Sequence, residues 1–303
     1  MTEIYKKAEI FVYRQARPLD LARWQYHFEG GARDAVLRAL RFYQNEDGGF
    51  GHALEADAWN PHSTPIQTWT AAQILREVDF VDRKHPLVDG LLTYLERRAE
   101  FDGHFWPRTL SSNNDYPRAP WWTHSDDEAS TYNPTASLAA FYVRCGDPGS
   151  AFYPEALRVV REAVEAYMEG SAHESHTLSC YVDLLGDLAI SGQSGLADLQ
   201  KLLGKLKEDV DKSIEQDSSL WARSYVVKPS QFIRGRDCPF YPGNEALVLA
   251  ECAMIGQSQA EDGGWPVTWS WGAYPEEFAI SAKYWQSQIA INNILFLRAF
   301  EER

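Results

Sequence analysis

Cysteine is scarce and scattered in this sequence. Its four copies, Cys145, Cys180, Cys238 and Cys252, form no Cys-x-x-Cys pair. That spacing speaks against a thiolate metal site, and a disulfide framework is not expected in a chain of 303 residues. Positive charge is also short: 29 Lys and Arg against 43 Asp and Glu leave a formal net charge of -14. Such a balance argues against a nucleic-acid partner, and equally against an anionic membrane surface, because both need a basic face. No run approaches the ~18 to 20 apolar residues that span a bilayer. The first twenty residues, MTEIYKKAEIFVYRQARPLD, lack an apolar segment followed by a small-residue cleavage site, so no secretory signal is expected and the expected compartment is the cytoplasm. There is no Gly-x-Ser-x-Gly, phosphate loop or Gly-x-Gly-x-x-Gly, which leaves serine-nucleophile and nucleotide chemistry without a foothold. His173 and His176 stand three apart, with no further clustered ligands. Neither a metal nor a cofactor is expected.

Aromatic residues are abundant: 11 Trp, 15 Tyr and 14 Phe, a load that must line a core or a cavity. Most of the chain reads as helix. In ARDAVLRALRFYQNEDGGF, residues 32–50, apolar positions recur at helical spacing and the run ends in Asn, Asp and Gly turn residues. A loop follows, and IQTWTAAQILREV restarts a more apolar helix behind Ser63 or Thr64 as N-cap and Pro65 in the first turn. The order helix, turn, long loop, helix recurs with turns at Asp102-Gly103, Gly170, Asp217 and Gln259, roughly 45 to 65 residues apart. Five or six such hairpins, each with its more apolar helix inward, predict an all-α single domain over residues 1–303 that closes into an α/α toroid. Residues 107–132 and 222–242 are long Pro-containing connections without clear period, and loops of that length in a compact domain are commonly functional.

Two turns share one wording: Gln44-Asn-Glu-Asp-Gly48-Gly-Phe50 and Gln259-Ala-Glu-Asp-Gly263-Gly-Trp265. This resembles the QW repeat, Gln-x3-Gly-x-Trp with Phe allowed, of the squalene and oxidosqualene cyclases and related α/α-toroid proteins, among them the protein prenyltransferase β subunits. Weaker copies at Asp102 and Asp217 carry the likeness over nearly the whole chain. Physically, the Gln bonds the backbone of the turn, a glycine takes positive φ, and the ring packs on the neighbouring hairpin.

The resemblance implies an alkene-protonating Asp just before an inner helix. The family's Asp-x-Asp-Asp wording is absent; the comparable place holds Ser125-Asp126-Asp127-Glu128, ahead of Asn133-Pro134-Thr135. Adjacent carboxylates beside Trp121, Trp122, His124 and Tyr132 would raise one another's pKa if buried; in solvent they would only cap a helix. Glu55 and Asp57, with Trp59, occupy the equivalent loop of the first hairpin, where they either share the cavity rim or fix the loop through backbone amides. The acid is thus Asp126 or Asp127, alternatively Asp57. Trp69, Trp59, Trp121, Trp122 and Trp285 are the rings that would face a cation, or else simply core. Arg223, Lys228, Arg234 and Arg236 would hold a diphosphate, or pair with surface acids. Zinc of the prenyltransferase kind is not expected, since Asp237 and Cys238 are adjacent and no His follows on the last helix.

Three functions follow. The first is protonation-initiated cyclisation of a small isoprenoid in an aromatic cavity. The second is a carbohydrate-active α/α barrel with two rim carboxylates about 5 to 9.5 Å apart across a wet groove. The third is a toroid that binds a ligand or partner without catalysis.

Overall fold

A computed structural model describes residues 2–97, 100–127, 129–170 and 174–300. Among the described residues the chain is helical, with eleven α-helices, five short 3-10 turns and no β-strand. The α-helices are α1 (Thr2–Gln15), α2 (Pro18–Phe28), α3 (Arg33–Arg41), α4 (Pro65–Glu77), α5 (Pro86–Arg97), α6 (Thr135–Cys145), α7 (Tyr153–Glu169), α8 (Ser175–Ser191), α9 (Leu199–Ser213), α10 (Glu245–Ser258) and α11 (Pro275–Phe300). None is long and apolar enough to cross a membrane. The helix over 18–28 was not expected from the apolar pattern; Asp20 and Arg23 lie buried on its inner face and break the hydrophobic period.

The chain divides into two compact units, Met1–Leu40 with Val210–Arg303, and Arg41–Asp209. In the first, α1 and α2 from one end of the sequence pack on α11 from the other, and α10 packs on α11. In the second, α6 is central, in contact with α4, α5, α7 and α8. The helices of this unit fall into two kinds. In α5 and α7 one stripe is buried, Leu87, Val88, Leu91, Leu92 and Leu95 in the first, and Ala156, Val159, Val160, Ala163 and Tyr167 in the second. By comparison α6 is buried on every side from Thr135 to Val143.

The two QW-like turns are built alike, one in each unit. Gln44 Nε2 donates to the carbonyls of Gly48 and Leu87, both at 2.9 Å. Gln259 Nε2 does the same to Gly263 and Ile4, again at 2.9 Å. Each Gln therefore closes its own turn and fastens it to the first turn of another helix, α5 in one case and α1 in the other. Gly48 (φ +89°) and Gly263 (φ +94°) sit so close to those helices that a Cβ would lie 2.0 Å from the Gly90 oxygen and 2.1 Å from that of Lys7. The rings Phe50 and Trp265 are buried, as are Trp106 and Trp221 at the weaker copies.

Candidate functional site

Thr64 caps α4, its side-chain oxygen accepting from Gln67 N, and Pro65 fills the first position. This fixes the start of a helix whose residues Trp69, Gln73 and Arg76 recur at helical spacing on one face. On α6 the matching residues are Ser137 and Arg144, and on α8 they are Asp183 and Asp187. Together they make one polar wall. Trp69 Nε1 donates to Ser137 Oγ (3.0 Å), and Ser137 Oγ donates to Asp183 Oδ2 (2.8 Å). Gln73 Nε2 also donates to Asp183 Oδ2. Arg76 donates through Nη1 to Ser137 Oγ (3.1 Å), through Nη2 to the Ser137 carbonyl (2.8 Å), and through Nε and Nη2 to Asp187 Oδ2 (3.1 and 2.5 Å). Arg144 completes the wall, its Nη1 donating to Asp187 Oδ1 at 3.1 Å and its Nη2 to the exposed Asp79 at 3.3 Å.

Burial is graded across this wall. Asp187 is 2% exposed, Arg76 11% and Asp183 16%, while Trp69 and Gln73 are partly exposed. The Arg76 guanidinium also lies over the Phe141 ring, 5.0 Å from its centre. Cys145, beside Asp187 at the end of α6, has its thiol pushed up to about 12, chiefly by burial. Cys180, next to Asp183 on α8, is raised by the same cause. Both thiols are therefore inert as nucleophiles. Among the described residues no group of His, Cys, Asp and Glu is arranged to hold a metal ion; His173 and Glu128 lie outside the described residues.

The two loops that precede α4 and α6 form a second, interlocked layer. Asn60 donates to Ser112 Oγ and Asn113 Oδ1, both at 2.9 Å, and Asn113 donates to the Trp122 carbonyl at 3.1 Å. Ala119 N donates to the Asp57 carbonyl and Trp59 N to that of Pro117. Arg118 Nη1 reaches the carbonyls of Asn113, Asn114 and Tyr116. The sequence-predicted rim residues thus come together as Glu55, Asp57 and Trp59 on one loop, with Trp121, Trp122 and His124 on the other. Glu55 and Asp57 are buried, and Glu55 Oε2 accepts from Asp57 N at 2.9 Å, the loop-fixing bond. Asp126 and Asp127 are exposed on a turn; His124 Nε2 lies 3.3 Å from Asp126 Oδ1, and His124 Nδ1 shares a hydrogen bond with Thr109. Trp121 is exposed and Trp122 buried. Tyr132 contacts the Phe105 and Tyr181 rings, and burial raises its phenol above the usual value.

Five predicted residues belong to the other unit; of these Arg234 and Arg236 are exposed, and Arg236 Nη2 donates to the Phe300 carbonyl at 3.1 Å. Arg223 is exposed and folds back on its own turn, Nε donating to the Ser219 carbonyl at 2.9 Å. Lys228 lies near the buried Glu251, whose carboxyl accepts from Ser230 N and Oγ. Trp285 packs edge-on against Trp269, its ring nitrogen buried and without a hydrogen-bond partner.

Of the wall, sequence reasoning singled out only Trp69. A signal for the rest was present in α8, where Asp183 and Asp187 stand four apart in an otherwise apolar helix, and in Gln73 and Arg76 on α4. Acids so placed either meet cations on a neighbouring helix or break the core. The chain matches no protein-family model, no curated protein and no solved structure, so the chemistry of these side chains carries the functional reading.

Proposed function

We propose that this chain is a saccharide-binding α/α toroid that holds a neutral, hydroxyl-rich ligand against the wall of α4, α6 and α8. The observation that carries the reading is charge balance. Arg76 and Arg144 both hydrogen-bond Asp187, and Arg76 lies 3.7 Å from Asp183, which leaves no surplus cation on this wall for a diphosphate. A sugar hydroxyl donates and accepts at once, and planar polar groups fixed beside an indole face complement it. Within the first unit, the Gln259 staple fastens the last repeat to Ile4 on the first helix. An isoprenoid cation asks instead for a dry chamber faced by rings and for a protonated acid. The α4, α6 and α8 face carries ion pairs, and the loop acids Asp126 and Asp127 are exposed.

Calorimetric titration and thermal shift against cellotriose, xylotriose, chitotriose and geranylgeranyl diphosphate test the proposal. Saturable stabilisation by a neutral trisaccharide is expected, about 2.7 kcal/mol at a hundredfold excess over Kd, and it is lost in Trp69→Ala. Stabilisation by the isoprenoid diphosphate alone would replace this reading with the cyclase one.

A further inference from the structure

The wall is satisfied on one side only. Asp183 uses a single oxygen, Oδ2, for Gln73 and Ser137, with Arg76 Nη1 3.7 Å away. Its other oxygen, Oδ1, has no hydrogen-bond partner among the described residues, and neither has Gln73 Oε1. Neither belongs to the sealed unpartnered atoms of the chain, so both open to solvent. Two acceptors, one of them anionic, therefore stand beside the partly exposed Trp69 ring. Two of the network's protons are turned inward: Ser137 gives its hydrogen to Asp183, and Trp69 gives its N–H to Ser137.

Resting on the saccharide reading, we infer that Asp183 is the specificity-determining residue of this site, accepting a ligand hydroxyl at Oδ1 beside a second at Gln73 Oε1 and refusing acidic sugars. A uronate carboxylate brought to Oδ1 meets a like charge. A neutral diol brings the two protons that the acceptors lack.

The same geometry fixes what Asp183→Asn does. The groups around Oδ2 are all donors toward it, so the amide oxygen of the new side chain must face Gln73, Ser137 and Arg76. Its NH2 then occupies the Oδ1 position. An acceptor becomes a donor at unchanged shape, and the preferred ligand changes sign with it.

Calorimetric titration of wild type and Asp183→Asn with cellotriose, xylotriose and trigalacturonate decides the matter. Wild type is expected to bind a neutral trisaccharide at least about tenfold more tightly than trigalacturonate. The variant is expected to lose about ten- to hundredfold for the neutral sugar, the loss of a hydrogen bond to a charged group, and to gain for trigalacturonate. Equal binding of neutral and acidic sugars by wild type overturns the inference, as does unchanged neutral-sugar affinity in a folded variant. If the variant does not fold, the wild-type selectivity alone decides. Binding of no sugar by wild type overturns the saccharide reading and this inference with it, whereas sugar binding without selectivity overturns the inference alone.

Discussion

Two buried clusters of arginine and aspartate, one in each unit, are put together in opposite ways. In the first unit Asp20 on α2 accepts from Arg17 Nε at 2.7 Å and from Arg23 Nη1 at 3.0 Å, each partner three residues away. All three side chains are 5% exposed or less. In the second unit Arg76 meets Asp187 across a separation of 111 residues and Gln73 meets Asp183 across 110, on different helices. Asp183 keeps one oxygen open. Removing charges from water costs several kcal/mol per ion unless partners replace the water. The Asp20 bonds to Arg17 and Arg23 are local and sealed from solvent, so they serve the fold. The α4, α6 and α8 cluster is assembled from three helices and leaves Asp183 Oδ1 open to solvent, the oxygen to which the saccharide proposal assigns a ligand hydroxyl.

Removing the central acid should separate the two most sharply. Asp20→Ala strips two sealed guanidiniums of the carboxylate they share, and a loss of about 3 to 5 kcal/mol is expected. Asp187→Ala does the same to Arg76 and Arg144, which are less deeply sealed at 11% and 9% exposed. Its loss should be smaller, about 2 to 3 kcal/mol, and saccharide affinity should fall with it because Arg76 no longer holds Ser137 in place. Urea denaturation of both variants, followed by titration, measures the two effects. Equal stability losses with ligand binding intact in Asp187→Ala would erase the distinction between the clusters.

The two staples supply the control. Gln44→Ala and Gln259→Ala each remove a side-chain amide that donates to two carbonyls, and each should cost about 1 to 3 kcal/mol. Because the bonds are the same in both units, matched losses would mean that differences between the ion clusters belong to the clusters themselves. A twofold mismatch between the staples would move the cause to the surrounding unit.

The turn half of each staple was legible because it is local, a Gln, a turn and a glycine with positive φ written in seven consecutive residues, whereas the carbonyl it reaches on another helix, Leu87 or Ile4, was not. The cap at Thr64 and the inward α6 follow from similar short-range signals. The wall was not legible, since its pairs are fixed by the packing of α4, α6 and α8, and a hydrophobic period registers Asp183 or Arg76 only as a fault in an apolar helix. Helix α2 escaped for the same reason. Its buried face carries Asp20 and Arg23, whose pairing makes them compatible with an otherwise apolar core. Asp126 drew attention through its run of acids, a feature of composition that says nothing about burial.

A buried acid of a third kind sharpens the comparison further. Glu251 on α10 has neither the sealed ion pair of Asp20 nor the open oxygen of Asp183; Ser230 bonds both of its oxygens, and burial raises its pKa above the ordinary 4.5. Between that ordinary value and the raised one, the folded chain keeps a proton that the unfolded chain has released. Stability from this group therefore falls as pH rises through the window, and above it the folded state carries a constant penalty. Glu251→Gln keeps an acceptor for Ser230 N and removes the titration. The variant should match wild type below pH 4.5 and exceed it modestly at neutral pH, an effect read from paired thermal melts across the range. A variant less stable than wild type at neutral pH would mean that the charge on Glu251 is held by attraction, like that of Asp20, and that burial is not what governs it.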